Sequence, residues 1–106
     1  MVTIQDLMNI ELKVAKILEV RDHPNADKLL VLTIDLGGET RQIVAGRRGH
    51  YEADALVGKE IVVVANLEPA NLRGEESNGM LLAAVDGERV VVVSPEQSVS
   101  AGSPVK

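Results

Sequence analysis

Leu30-Val31-Leu32-Thr33-Ile34-Asp35-Leu36-Gly37-Gly38-Glu39-Thr40-Arg41-Gln42-Ile43-Val44-Ala45-Gly46 decides the fold. Leu30, Leu32, Ile34 and Leu36 alternate with Val31, Thr33 and Asp35, the two-residue period of a strand whose faces differ. Gly37-Gly38 supplies the positive φ values that a tight hairpin turn needs. Residues 40–45 read as the returning strand, ending at Gly46.

Upstream, Leu12, Val14, Ala15, Ile17 and Val20 are interleaved with Lys13, Lys16, Glu19 and Arg21, which predicts a long strand, bulged near Ala15-Lys16. His23-Pro24-Asn25-Ala26-Asp27 is a turn, because Pro cannot donate to a ladder. Thr3 is an N-cap with Asp6 three residues on, so one or two helical turns open the chain. Downstream, residues 51–57 predict a short helix closed by Gly58, and residues 60–65 a fourth strand. Residues 66–79 read as a long polar loop and 80–85 as a fifth strand. Asp86-Gly87 is a turn, residues 89–93 a further strand, and the tail from Ser94 is extended. This order predicts an all-β domain over residues 1–106. It is a five-stranded OB-fold barrel with a short N-terminal helix, a short helix between strands 3 and 4, and a C-terminal extension.

A chain of 106 residues holds one domain. With 45% apolar and 25% charged residues it folds, but its only aromatic is Tyr51, so aliphatic side chains fill the core. Cysteine is absent, which excludes disulfides and thiolate chemistry and suits the cytoplasm. The first nine residues lack the basic and apolar regions of a signal peptide, and apolar runs such as 61–65 are too short to span a bilayer. A net charge of −5 argues against a non-specific nucleic-acid coater. The charge is uneven, however. Arg41, Arg47 and Arg48 fall in a stretch between Glu39 and Glu52 that holds no acid. Residues 61–65 and 90–93 are apolar on both faces. Either the N-terminal helix and the tail cover them or a second copy does, and the short chain favours the second copy.

No phosphate-cradling Gly-rich loop, metal-binding His pair or Gly-x-Ser-x-Gly occurs. His23 and His50 read as solvated loop histidines, Asp22 and Asp27 as turn carboxylates, and Glu75-Glu76 as a solvated pair. In the long loop Arg73, Ser77 and Asn78 offer donors, and Gly74 and Gly79 let a ligand approach the backbone; an ordinary connection explains them equally well.

Several blocks in order resemble the tRNA-binding domain at the C-terminus of methionyl-tRNA synthetases, which also occurs as free-standing dimeric tRNA-binding proteins. They are His23-Pro24-Asn25-Ala26-Asp27-Lys28-Leu29, Arg41-Gln42-Ile43-Val44-Ala45-Gly46, Val57-Gly58-Lys59, Asn66-Leu67, Leu72-Arg73-Gly74 and Ser77-Asn78-Gly79-Met80. The resemblance covers nearly the whole chain. It implies a non-catalytic OB-fold homodimer that binds tRNA by shape, largely independent of sequence. Such a module assists methionyl-tRNA synthetase in cis or in trans, in the cytoplasm, with no cofactor, metal, DNA or membrane. The family's RNA contacts fall on Asn25, Lys28, Arg41, Arg73, Ser77 and Met80. Lys28, Arg41 and Arg73 suit phosphates, Asn25 and Ser77 suit 2′-hydroxyls or base edges, and Met80 suits a splayed base. The chain departs from the family at Leu7, usually aromatic, and at Arg47 and Arg48, which either extend the RNA surface or form a solvated face. With Tyr51 placed over the barrel end, base stacking on aromatics is disfavoured. The alternative is a dimeric OB-fold chaperone for unfolded or secretory polypeptides, favoured only by the acidic net charge.

Overall fold

Alternation along the Gly37-Gly38 hairpin sends Leu30, Leu32, Ile34 and Ile43 to one side, where all are buried. The computed structural model describes residues 1–46 and 53–106. Helix α1 (Ile4–Met8) is closed by a complete capping box between Thr3 and Asp6. Strand β1 (Leu12–Asp22) is the spine. Strand β2 (Leu29–Asp35) runs antiparallel to its second half, and β3 (Thr40–Gly46) runs antiparallel to β2. Helix α2 (Ala53–Leu56) leads to β4 (Glu60–Val64), which pairs with the first half of β1, Leu12 opposite Val64 and Lys16 opposite Glu60. Then follow β5 (Ala70–Leu72), β6 (Glu75–Ser77), β7 (Met80–Leu81), β8 (Ala83–Asp86), β9 (Arg89–Val92) and β10 (Pro104–Val105).

The core is aliphatic, as the composition requires. Ala15, Ile17, Leu30, Leu32, Ile34, Leu36, Ile43, Leu56, Ile61 and Val63 form one buried cluster. Each large side chain in it contributes roughly 1.5–3 kcal/mol by leaving water.

Five expectations change. The sheet is not closed into a five-stranded barrel. Its order is β3-β2-β1-β4-β7, with β10 added beside β1, and among the described residues no ladder joins β3 to β7. One backbone bond, Asn78 N–H to the Gln42 carbonyl at 2.9 Å, and the Ser77 hydroxyl span that gap instead. Between β6 and β7 the chain bends at Gly79, φ 133°. The loop over residues 66–79 is not irregular, since β5 and β6 make a hairpin inside it. The bulge in β1 falls between Ile17 and Glu19 rather than at Ala15-Lys16, leaving Leu18 exposed. The fifth strand is divided at Leu82. Its N–H goes to Val62 and its carbonyl accepts the Val93 N–H. Both faces of β4 are buried within one chain, so β4 presents no surface to a second copy. The start of the expected helix at Tyr51, and the placement of that ring, lie outside the described residues.

The C-terminal segment is strapped down rather than merely extended. Ser103 and Gly102 exchange backbone bonds with Val14, and β10 continues along the edge of β1 that β2 leaves free. The strap crosses the β2–β3 turn with backbone against backbone. A Cβ at Gly102 would run into the Leu36 carbonyl, and one at Gly37 into the Ala101 carbonyl. Both glycines also have positive φ. Gly102→Ala is therefore expected to cost roughly 2–3 kcal/mol in urea unfolding. Gly38→Ala, whose Cβ meets nothing within 4 Å, costs about 1 kcal/mol from its φ alone. Equal losses in the two variants would show that the crossing is not tight.

The strap also carries a carboxylate clasp. The Ser98 hydroxyl and the Val99 N–H, the latter at 2.8 Å, hold the Glu60 carboxyl below the usual glutamate range, with help from Lys16. A carboxyl held low in the folded chain adds stability above its ordinary value of 4.5, and that stability is lost as pH falls through the folded value. Thermal midpoints measured between about pH 6 and pH 3 are expected to fall less steeply in Glu60→Gln than in the parent chain.

Candidate nucleic-acid interface

The six expected contact residues come from four places in the chain, and the fold gathers them around one hairpin. Strands β5 and β6 face each other as Ala70 to Ser77, Asn71 to Glu76 and Leu72 to Glu75. Arg73 and Gly74 form the two-residue turn, with φ of 57° and 98°. Positive φ at both positions is the type I′ pattern that matches strand twist. Gly74 adopts it freely, whereas Arg73 is the one non-glycine at positive φ among the described residues. Asn71 steadies the turn, its Oδ1 accepting the Gly74 N–H at 2.9 Å.

At the tip, Arg73 meets the turn that follows β1. Asn25 donates through Nδ2 to the Arg73 carbonyl at 3.3 Å. Asn25, Ala26, Asp27, Lys28, Leu29 and Arg73 line one recess of about 450 Å³. The side chains of Asn25, Lys28 and Arg73 are exposed there. Arg21 on β1 pairs with Glu75 beside this recess, so that carboxylate is already engaged.

At the base of the hairpin, β3 supplies the contacts. Gln42 donates through Nε2 to the Glu76 carbonyl at 2.9 Å. Glu39, Thr40, Arg41, Gln42, Glu76 and Asn78 line a second recess of about 340 Å³. Arg41 is half-buried here. Its Nη1 donates to the Ala65 carbonyl at 2.5 Å, and its Nη2 lies 3.3 Å from Glu39. Arg41 thus serves the fold on one side and solvent on the other. Met80, two residues beyond Asn78 in the chain, lies opposite Val64 in the β4–β7 pair and is 48% exposed.

Ser77 differs from the other five. It is buried, its Oγ accepting the Val44 N–H at 2.9 Å and donating to the Gly79 carbonyl at 3.0 Å. The hydroxyl expected to meet a 2′-OH points inward and holds the turn that presents Asn78 and Met80. Arg47, Arg48 and His50 lie outside the described residues.

Two residues were missed by sequence reasoning. His23 is not a solvated loop histidine but is buried against the hairpin. Its signal was available in part, since an acceptor two residues before an N–H in a Pro-Asn turn is a common capping geometry. Gln42 stood inside a quoted motif, yet nothing in its own strand shows that it reaches Glu76. Among the described residues no group of three His, Cys, Asp or Glu could hold a metal ion, and no helix is long and apolar enough to cross a membrane.

Comparison with known proteins gives the family of the chain. The methionine–tRNA ligase of Thermococcus onnurineus is 50% identical over 105 residues, 99% of this chain. The chain spans only 14% of that ligase's length. The crystal structure of a MetRS-related protein from Pyrococcus horikoshii superposes with a TM-score of 0.92 at 28% identity, covering 100% of this chain and 98% of the other. A CsaA chaperone protein from Picrophilus torridus also superposes with a TM-score of 0.92, at 27% identity, covering 100% of both chains. A family model described as "Putative tRNA binding domain" matches residues 12–104. The chain therefore belongs to this tRNA-binding domain family.

Proposed function

We propose that the chain is a non-catalytic tRNA-binding module of the OB type that assists methionyl-tRNA synthetase, in cis or in trans, in the cytoplasm. The observation that carries this reading is the recess where Asn25, Lys28 and Arg73 are exposed together at the tip of a braced hairpin. Lys28 and Arg73 hold phosphates there, and Asn25 keeps its carbonyl oxygen for a 2′-hydroxyl. Arg41 adds a third phosphate contact when the backbone displaces Glu39, the solvent-exposed partner of the pair. Met80 offers a polarizable apolar surface to a splayed base. Ser77 acts from below, by fixing the turn that carries Asn78 and Met80. Spaced backbone contacts with few base-edge donors favour recognition of a folded RNA by shape.

The module acts as a homodimer through its apolar end. Helix α1 buries no residue of its own, and Ile4, Leu7, Met8 and Ile10 remain exposed beside Leu12 and Val105, around an apolar recess of about 320 Å³. A five-residue helix cannot persist on its own backbone bonds, so a covering surface is needed, and a second copy supplies one by symmetry. The rival reading, a chaperone, would use the same apolar end for unfolded polypeptide.

Titration of total tRNA against salt, beside duplex DNA and an unfolded protein, tests the function. Three phosphate contacts predict a log–log slope of about −2 to −3, with tRNA preferred. Arg73→Gly is expected to raise stability by about 1 kcal/mol, since glycine accepts the positive φ, and to lower the slope by about 1. Binding to the unfolded protein alone would sink the tRNA reading. Sedimentation equilibrium is expected to give twice the chain mass for the parent and the single mass for Leu7→Lys. A monomeric parent at concentrations of roughly 100 μM would refute the dimer.

A further inference from the structure

His23 follows β1, is 5% exposed, and has both ring nitrogens engaged. Nδ1 accepts the Asn25 N–H at 2.9 Å, and Nε2 lies 2.7 Å from the Leu72 carbonyl oxygen. A backbone N–H only donates and a carbonyl only accepts. This geometry therefore requires the tautomer with the proton on Nε2 and the lone pair on Nδ1. One imidazole holds the turn that carries Asn25 and Lys28 against the strand that runs into Arg73. We propose that His23 is a positioning residue for RNA binding, and that protonation of its ring uncouples the 24–29 turn from the β5–β6 hairpin. The proposal rests on the tRNA reading above.

Protonation places a hydrogen on Nδ1, facing the Asn25 N–H. Two donors then meet, and either the turn moves or a part-buried N–H loses its partner. The Asn25 to Arg73 bond, at 3.3 Å and exposed, is longer than either contact of the ring. Among the described residues, the charged groups on the surrounding elements are Arg21 and Asp22 at the end of β1, Asp27 and Lys28 in the turn, and Arg73, Glu75 and Glu76 on the hairpin. The adjoining ends of β2 and β3, Leu29 and Leu30 with Ala45 and Gly46, bring none. Arg21 already pairs with Glu75, and the direct polar contacts of the ring are its two hydrogen bonds.

The direction of the effect is diagnostic. Acidification adds positive charge to the chain, and phosphate attraction alone then predicts tighter RNA binding. Loss of the His23 clasp predicts weaker binding. The test measures tRNA affinity and backbone amide resonances from about pH 8 to about pH 5.5. The expected result is a loss of about threefold to tenfold in affinity, the scale of one net hydrogen bond. The Asn25 and Arg73 amides shift with one shared midpoint while those of Leu32 and Ile43 stay still. His23→Asn, which keeps an acceptor for the Asn25 N–H but cannot reach Leu72, binds more weakly at the upper pH and is flat below it. Affinity that is constant or rises in acid, separate midpoints for the two amides, or undiminished acid weakening in His23→Asn would each overturn the proposal. Parent chain that binds no tRNA at about pH 8 would instead overturn the tRNA reading, and the shared midpoint alone then decides whether His23 couples the loops.

Discussion

Strand β1 carries three partners at once, and every other element takes its place from that. Its first half pairs with β4 on one edge and β10 on the other, and its second half pairs with β2. The register shift between Ile17 and Glu19 sits where the partners change. A bulge adds twist, which turns the second half of the strand toward the β5–β6 hairpin. The far end of β1 therefore delivers Arg21 and His23 to that hairpin, whereas its near end anchors the strap and the N-terminal helix. Stability and the candidate site share one strand.

The division of labour around the hairpin has a clear physical basis. Polar side chains that face inward are consumed by backbone groups, His23 by Asn25 and Leu72 and Ser77 by Val44 and Gly79, and the partly exposed Gln42 is likewise bonded to Glu76. Among the described residues no buried side-chain nitrogen or oxygen lacks a partner. Satisfied in this way, they brace a hairpin too short to be stable alone. Asn25, Lys28 and Arg73 remain exposed and free to meet a ligand. Arg41 stands between the two groups, since one nitrogen of its guanidinium is tied to Ala65.

The barrel expectation fails for an instructive reason. The element order was legible, and so was the alternation of β2 and β3. Whether β3 finds a ladder partner depends on how the chain leaves β6. There the chain bends at Gly79 after one backbone bond to Gln42. In place of a ladder, β3 meets this segment through the Ser77 hydroxyl, the Gln42 side chain and one amide, contacts that no periodicity encodes. The two-faced apolar run at 61–65 was equally visible but misassigned. A run apolar on both faces reveals that both are covered, not what covers them, and here one chain covers both.

What the sequence by itself determined is local. Period-two alternation, paired glycines at the turn and the Thr3–Asp6 box follow from backbone sterics and nearest-neighbour hydrogen bonds, which act over a few residues. The order of motifs was likewise enough to identify the family. The tertiary structure decided what each polar side chain does. Ser77 and Arg73 stand four residues apart and look alike as donors, yet one is sealed inside and the other held at positive φ in solvent. His23 meets Leu72 across 49 residues of chain. Burial and hydrogen-bond partnership depend on groups distant in sequence, and only the packed fold brings those groups together.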